Sequence, residues 1–357
     1  MTENSSRGQP YSAKMASRQS QRLRSFLAGN KERLSPLLIL THDFPDPDAL
    51  SAAMGLMTLA REGHGIEARI AYGGEIGRME NRAMVRLLHI PVHKFRPVML
   101  RRHAAVALVD TQPAFENNPF PANRRAALVL DQHRSDVAPA AEFALVDPGC
   151  GATCVLVARA LIDHGIALSQ RLATALAYGI LTDTLNFYRA QRPDIVQTYL
   201  QVLPQCDMRK LARIQNPIRP RQFFSTLGRG IREAILLRQT LITHLGPVDT
   251  PDRVAQVADF LLQYRGARWC LVTGRHKGRL HASLRSTRLD AQAGEFLRDA
   301  FRNPRQAGGH GAIAGGSCRV GQDSSESDWR ARERALEERL GRRLRLPVRV
   351  EPRRPFA

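Results

Sequence analysis

The chain has 357 residues, of which 43% are hydrophobic, and 53 lysines and arginines against 33 acidic residues give a formal net charge of +20. This length predicts two domains, and the share of apolar residues excludes a wholly disordered chain. No stretch of the sequence approaches the roughly 18 apolar residues that span a bilayer, and the polar N-terminus lacks the apolar core of a signal peptide. We therefore expect a cytoplasmic protein with no membrane partner.

The positive charge indicates an anionic partner. An excess of basic side chains raises the local concentration of polyanions, which favours nucleic acid or phosphorylated ligands. Because the arginines are spread along the whole chain, an arginine-rich composition without a binding role is the alternative explanation. The five cysteines are scattered and form no CxxC pair, so the sequence indicates neither a disulfide framework nor a zinc site.

Residues 1–34 are polar and basic and predict an N-terminal arm, with an amphipathic helix over Ala16–Leu27. After this arm, short apolar runs alternate with helical patterns as far as residue 205. Strands are predicted at 37–40, 68–72, 104–110, 126–131 and 143–147, and helices at 49–62, 79–88 and 153–164. This alternation predicts an α/β domain over residues 35–205, with a mostly parallel sheet flanked by helices.

Two prolines, Pro217 and Pro220, interrupt the chain and indicate a linker over residues 206–222. The remaining residues, 223–357, predict a smaller α/β domain. Its strands are predicted in TLITHL, RWCLVTG and RLHASLRS, and its helices at 251–264, 291–301 and 327–342.

Acidic residues, histidines and one glutamine follow the predicted strands of the first domain. They are, in chain order, His42, Asp46, Asp48, Asp110, Asp131, Gln132 and His133. In open α/β sheets ligands bind beyond the carboxyl ends of the strands, so these side chains are expected to meet at one edge. A further carboxylate, Asp183, follows an apolar helical stretch, where a buried charge is costly unless it is paired or bound to metal.

Carboxylates and imidazole together are ligands for Mn²⁺ and similar divalent ions. Cations held between several carboxylates relieve their mutual repulsion and serve in-line attack on phosphorus. For the loop HDFPDPD taken alone, a solvated acidic turn is an equally good interpretation. The recurrence of carboxylates at several strand and helix ends favours the metal site.

The order of these motifs resembles that of the DHH phosphoesterase family. HDFPDPDAL looks like the first motif of the family, LVDTQ like the second, LDQH like the third and GILTDT like the fourth. RQAGGHGAIAGG looks like the Gly-Gly-His segment of the DHH-associated substrate domain, so the resemblance covers nearly the whole chain. Within the family, the chain is similar to the nanoRNases and the 3′-phosphoadenosine-5′-phosphate phosphatases, which trim very short RNA or remove a phosphate from a bisphosphorylated nucleotide.

The resemblance implies one or two divalent ions, Mn²⁺ first and Mg²⁺ as the alternative, and an attacking hydroxide between them. The implied roles are His42 and Asp46 at one ion, Asp48, Asp183 and Gln132 at the other, Asp110 bridging both, His133 facing the substrate phosphate and Asp131 supporting the ligands from behind. Asp110 and His133 would be the catalytic residues.

In the second domain, the resemblance implies that Gly308, Gly309 and His310 approach a terminal phosphate. Arg285 would supply a guanidinium fork to the same phosphate, with Ser286 beside it. Without the resemblance, Arg285 is simply one of many arginines expected at the surface.

One position departs from the family pattern. The third motif of the family is Asp-His-His, and Gln132 stands at its middle position here. A glutamine oxygen is neutral and is a weaker donor to transition metals than imidazole. The second site is therefore expected to be looser, to prefer Mg²⁺ or to be empty at rest.

The sequence thus predicts a metal-dependent phosphoesterase that hydrolyses short RNA or DNA fragments or phosphorylated nucleotides, as an oligoribonuclease-type exonuclease or a nucleotide phosphatase. The alternative from another class is a catalytically weakened protein that binds nucleic acid or nucleotides. A cyclic-dinucleotide phosphodiesterase ranks below both. The oligomeric state stays open, a homodimer included.

Overall fold

The structure, a computed structural model, describes residues 13–303, 306–346 and 353–356. The chain divides into two units, Met1–Pro217 and Ile218–Ala357. Each unit contains its own six-stranded sheet with helices packed against it. The predicted α/β class, with a parallel sheet in the first domain, is confirmed.

The sheet of the first unit is parallel throughout. Its strands are β1 Leu37–Thr41, β2 Ala68–Tyr72, β3 Val92–Lys94, β4 Ala105–Val109, β5 Ala126–Asp131 and β6 Ala141–Val146. They lie in the order β3-β2-β1-β4-β5-β6. Alternate residues of β1 enter two different hydrophobic clusters, Leu37 and Ile39 in one, Leu38 and Leu40 in the other. Burial of both faces explains why the strand is a continuous apolar run rather than an alternating one.

This strand order creates a switch point. From β1 the chain proceeds outward to β2 and β3, then returns to place β4 on the opposite side of β1. The connections that leave β1 and β4 therefore diverge, and a crevice forms at the carboxyl ends of these two strands. The motif-bearing segments after Thr41 and Val109 both begin there.

The helices of the first unit are α1 Ala13–Gly29, α2 Lys31–Leu34, α3 Pro47–His64, α4 Met79–Leu88, α5 Met99–Arg102, α6 Thr153–Asp163, α7 Gln170–Asp183, α8 Pro193–Val202 and α9 Met208–Gln215, with a 3₁₀ turn at Leu203–Gln205. Helix α3 starts with Pro47 and is N-capped by Asp46, whose side chain accepts from the backbone N–H of Ala49 at 3.0 Å. It ends at Gly65, which adopts the left-handed conformation. Helix α3 packs against α6 and α7, which also border the site.

The N-terminal segment packs on the first unit. The helix predicted over Ala16–Leu27 lies within α1, and Leu23, Leu27 and Leu34 are fully buried in the core of the unit. Their burial removes apolar surface from water, which outweighs the polarity of the surrounding residues. The division between the two units, after Pro217, lies inside the predicted linker over 206–222, and α9 occupies part of that range and buries Leu211 and Ile214.

The sheet of the second unit is mixed. Its strands are β7 Ile235–Leu237, β8 Thr240–Pro247, β9 Trp269–His276, β10 Arg279–Ser286, β11 Ala307–His310 and β12 Ile313–Arg319, in the order β11-β12-β10-β9-β8-β7. Only the pair β8 and β9 is parallel among them. The helices are α10 Arg221–Arg232, α11 Asp252–Leu261, α12 Ala293–Phe301 and α13 Glu326–Arg343. No helix in the described residues is long and apolar enough to cross a membrane.

Candidate metal centre

Backbone conformation positions the first two elements of the site. His42 directly follows β1, and Asp46 is the N-cap of α3 four residues later. Asp110 directly follows β4 with a φ of 59°, in the left-handed region that residues with a side chain seldom adopt. Its backbone N–H donates to the carbonyl of Leu130 at 2.9 Å, which anchors this conformation to β5. Strained residues of this kind persist where the surroundings hold them, often at functional sites.

His42, Asp46 and Asp110 form a set of three possible ligands. The Nε2 atom of His42 lies 3.8 Å from Oδ1 of Asp46 and 3.5 Å from Oδ2 of Asp110. The ligand atoms of the three residues all lie within 4.8 Å of one another. One imidazole and two carboxylates in this space fit one divalent ion of the Mn²⁺ or Mg²⁺ type.

The other imidazole nitrogen supports this assignment. Nδ1 of His42 lies 2.7 Å from the backbone carbonyl of Asp43. A carbonyl only accepts, so Nδ1 carries the hydrogen, and in the neutral ring the lone pair is on Nε2, beside the two carboxylates. Metal-ligating histidines are commonly oriented by an outer partner of this kind.

The electrostatics of this set also suit a cation. Burial disfavours a charged His42, but the hydrogen bonds and charges of Asp110 and Asp46 outweigh it and raise the pKa of His42 well above its usual value. Burial and the charge of Asp46 raise the pKa of Asp110, although the hydrogen bond with His42 acts in the opposite direction. In the metal-free protein a proton on His42 therefore compensates the carboxylates, and a bound cation would replace it.

His133 belongs to a second group, with Asp131 and Asp110. Its Nδ1 atom lies 2.8 Å from Oδ1 of Asp131 and 3.6 Å from Oδ1 of Asp110. The carboxylate of Asp131 is fully buried and also accepts from Nε2 of Gln112 at 2.7 Å and from the backbone N–H of Gln132 at 2.8 Å. Hydrogen bonds thus occupy both oxygens of Asp131, and its supporting role behind the ligands stays a prediction.

Charge determines the protonation of His133. Burial lowers the pKa of His133, but the hydrogen bond to Asp131 and the charges of Asp110, Asp131 and Asp183 raise it to about 9. The imidazole is half-exposed, with 44% of the side chain accessible. At neutral pH the metal-free protein therefore presents an imidazolium beside the three possible metal ligands, where it could bind an anionic group.

The carboxylates predicted for a second ion, Asp48 and Asp183, lie on either side of Gln132. Asp48 is buried and accepts from the backbone N–H groups of Thr153 and Cys154, both at 2.7 Å. The Nε2 atom of Gln132 donates to Asp48 at 3.1 Å and also to Asp183. Neither carboxylate belongs to a group of closely spaced metal-ligand atoms within the described residues.

Burial and neighbouring carboxylates oppose the charges of Asp48 and Asp183, and hydrogen bonds from Cys154 and Gln132 offset this only in part. Burial and the charges of Asp110, Asp183 and Asp46 raise the pKa of Asp48 well above its usual range. Burial and the charges of Asp46 and Asp110 raise the pKa of Asp183 to about 7.

Sequence reasoning missed two side chains that contact the site residues. The hydroxyl of Thr153, at the start of α6, donates to Oδ1 of Asp110 at 2.7 Å. Gln112 is buried and donates to Asp131 and, at 2.9 Å, to the carbonyl of His133. The position of Gln112 within the LVDTQ motif could have indicated its role in the site. The sequence around Thr153 shows only that this residue follows a glycine-containing turn.

Comparison with known proteins finds a family match within the first unit. Residues 36–180 match the DHH family, N-terminal domain. An uncharacterized protein of Methanocaldococcus jannaschii is 31% identical over 311 residues, which are 87% of this chain and 63% of that protein. The chain therefore spans less than two thirds of the length of this curated relative.

A solved structure supports the fold of the whole chain. An exopolyphosphatase-related protein from Bacteroides fragilis superposes with a TM-score of 0.71, covering 90% of this chain and 96% of that chain, at 15% sequence identity. At this identity the likeness concerns the fold alone. His42, Asp46, Asp110, Asp131 and His133 all lie within the segment that matches the DHH family, and Asp183 lies three residues beyond it.

Outside the matched segment, the Gly-Gly-His segment forms the edge strand β11 of the second unit. Gly309 has a φ of 142°, and a Cβ there would lie 2.2 Å from the carbonyl oxygen of Ile313, so only glycine fits. Gly308 has open space at the corresponding position. The side chain of His310 lies outside the described residues, so its predicted phosphate contact stays a prediction.

Arg285 differs from its prediction as an available phosphate ligand. It is 5% exposed, and its guanidinium donates to Asp259 at 2.5 Å and to the carbonyl of Ala314 at 3.0 Å. Ser286 is equally buried and accepts from the backbone N–H of Arg288. Arg285 lies on β10, a central strand, where a buried charge requires partners within the protein.

Proposed function

We propose that the protein is a metal-dependent phosphoesterase that hydrolyses short oligonucleotides or phosphorylated nucleotides. The observation that carries the proposal is the set of His42, Asp46 and Asp110, whose ligand atoms lie within 4.8 Å of one another at the switch point of a DHH-family domain. A divalent ion bound there would polarise a phosphoryl oxygen and lower the pKa of a bound water.

The residues around this set have separate tasks. Thr153 fixes Oδ1 of Asp110 by a hydrogen bond, which leaves Oδ2 on the side of His42. Asp131 holds Nδ1 of His133, and the protonated imidazole has a second N–H to offer a phosphate oxygen. Because this imidazole is half-exposed, a substrate phosphate can approach it from solvent.

The charge balance of the chain supports an anionic substrate. The formal net charge of +20 attracts phosphorylated molecules to the surface before any specific contact forms. Short nucleic-acid fragments and bisphosphorylated nucleotides, the substrates of the family members that the sequence resembles, both carry the required phosphates.

Hydrolysis of two substrates tests the proposal. A 5′-phosphorylated RNA dinucleotide and 3′-phosphoadenosine-5′-phosphate are each incubated with Mn²⁺, Mg²⁺ or EDTA. We expect turnover with a divalent ion, loss of turnover in EDTA, and a decrease of roughly 100-fold or more in Asp110→Asn. The control is Asp136→Asn, which removes an exposed carboxylate and should retain activity. Turnover that survives both EDTA and Asp110→Asn would refute the proposal.

One observation favours a second candidate, a protein that binds nucleic acid or nucleotides without cleaving them. The hydrogen bonds of Gln132 to Asp48 and Asp183 occupy the place that the family resemblance assigns to a second ion. Binding of a fluorescent oligonucleotide, together with no cleavage in Mn²⁺, Mg²⁺ or Co²⁺, would establish this candidate instead.

A further inference from the structure

Gln132 makes an unusual set of contacts for a possible metal ligand. It follows the last residue of β5, and its Nε2 atom donates to Oδ2 of Asp48 and to Oδ2 of Asp183. A side-chain amide nitrogen carries two hydrogens, and the two carboxylates accept one each. The NH₂ group therefore lies between the two carboxylates and presents hydrogens, not a lone pair, to the space that a cation would need.

Asp48 has a full set of donors without any cation. Its Oδ1 atom accepts from the backbone N–H of Cys154, and its Oδ2 atom accepts from that of Thr153 as well as from Gln132. Thr153 and Cys154 are the first two residues of α6, an 11-residue helix, and the positive end of the helix dipole stabilises a negative charge at this point. The carboxylate is thus solvated by the protein, as a buried charge requires.

The other closely spaced group offers no alternative second site. Asp110, Asp131 and His133 have ligand atoms within 4.8 Å of one another. Within this group, however, both oxygens of Asp131 already accept hydrogen bonds and Nδ1 of His133 is paired with Asp131. When its ring is neutral, His42 directs the unprotonated Nε2 atom toward Asp46 and Asp110. In the other group of the described residues, the His133 nitrogen that faces Asp131 and Asp110 is Nδ1, which carries the hydrogen bonded to Asp131.

We propose that the protein holds one divalent ion per chain, at His42, Asp46 and Asp110, and that the Gln132 amide group replaces a second ion between Asp48 and Asp183. This inference rests on the proposed function in one respect, because it takes His42, Asp46 and Asp110 as an ion site. Two hydrogen bonds from a neutral amide tie the carboxylates together, as a bridging cation would. Because the amide brings no positive charge, the ion at the His42 set would act alone on a substrate phosphate.

Replacement of Gln132 should open the second position. In Gln132→His the imidazole supplies a nitrogen ligand beside Asp48 and Asp183, and in Gln132→Glu a third carboxylate takes the place of the amide. A neutral imidazole has one N–H and a carboxylate has none, so neither side chain can donate one hydrogen bond to Asp48 and another to Asp183. A cation then becomes the means of relieving the repulsion between the carboxylates.

The experiment measures metal binding independently of activity. The full chain is titrated with Mn²⁺ by calorimetry, and electron paramagnetic resonance at saturation reports whether two Mn²⁺ ions are magnetically coupled. We expect one ion and an uncoupled spectrum for the natural protein, and two ions with a coupled spectrum for Gln132→His or Gln132→Glu. Gln322→His is the control, because Gln322 is exposed in the second unit and its replacement should leave one ion bound.

The outcomes separate this inference from the proposed function. Two coupled ions in the natural protein would overturn the inference and leave a metal-dependent phosphoesterase intact. A single ion in the natural protein and in both folded Gln132 variants would also overturn it, since the amide would then not be what excludes the second ion. One ion in the natural protein and two in a variant would support the inference even if neither substrate is hydrolysed, in which case only the proposed function fails.

Discussion

Replacement of Asp131 by Asn should lower the pKa of His133 in the metal-free protein. The Nδ1 atom of His133 lies 2.8 Å from Oδ1 of Asp131, and this hydrogen bond is the largest of the interactions that raise its pKa to about 9 from 6.5. Asparagine keeps the shape and can still accept from Nδ1, but it removes the charge. An opposite charge at this distance raises a histidine pKa by about 1–3 units, so we expect a decrease of at least about 1.

The effect on stability follows from the same numbers. A pKa of about 9 against 6.5 corresponds to roughly 3 kcal/mol of favourable interaction with the charged ring. Because 44% of the His133 side chain is exposed, solvent screening reduces this to about 1–2 kcal/mol. The raised pKa stabilises the fold fully below pH 6.5, and this contribution is lost as the pH rises through 9. Because Asp110 and Asp183 still act on His133 in Asp131→Asn, only part of this contribution is removed, and between these pH values the natural protein should lose roughly 0.5–1 kcal/mol more than the variant.

Two measurements in EDTA check this prediction. Proton NMR of the imidazole Cε1–H gives the pKa of His133 directly, and urea denaturation at several pH values gives the free energy of unfolding. Asp136→Asn serves as the matched control, because it removes an exposed carboxylate from the same loop. A His133 pKa that changes by less than roughly 0.3 in Asp131→Asn, or equally in the control, would refute the assigned cause.

Two further substitutions test the site and the fold. Thr153→Val removes the hydroxyl that donates to Asp110 at 2.7 Å, so the Mn²⁺ affinity measured by calorimetry should fall by roughly 10-fold or more. The control is Thr58→Val, which removes a helical hydroxyl away from the ligands and should leave the Mn²⁺ affinity unchanged. An unchanged affinity in Thr153→Val would show that this hydrogen bond does not position Asp110. Leu27→Ala removes a fully buried side chain and should cost about 2–5 kcal/mol of unfolding free energy in urea. The exposed Leu200→Ala should cost far less, and equal costs would contradict the burial of α1.

The sequence alone determined the α/β class of the first domain and predicted the edge of its sheet at which a site would form. A parallel strand buried on both faces must be apolar along its length, so β1, β4 and β5 were recognisable as short runs ending in His42, Asp110 and Asp131. Parallel strands place their carboxyl ends at one edge, which brings distant motifs together. The seven candidate residues within the matched segment could therefore be named before any coordinate was known.

Sequence patterns could not determine which atoms meet. Periodicity gives the face of an element that is buried, but hydrogen-bond partners depend on shifts of less than an ångström in how α3, α6 and α7 pack together. That packing places the start of α6 against Asp48, with the result that backbone N–H groups of Thr153 and Cys154 stabilise its charge. Every residue except proline has a backbone N–H, so the sequence does not show which of these groups will donate to a carboxylate.

Tertiary structure likewise decided the surroundings of α1, Arg285 and Gln132. The N-terminal residues appear basic, yet α1 buries Leu23 and Leu27 in the core, because apolar burial depends on one face of a helix and not on its average composition. Arg285 resembles a surface residue until Asp259 is found beside it. From the sequence, Gln132 is expected to be a weaker metal ligand than histidine. Only the three-dimensional structure shows that its amide lies between Asp48 and Asp183, where its hydrogen-bond donors occupy the position of a cation.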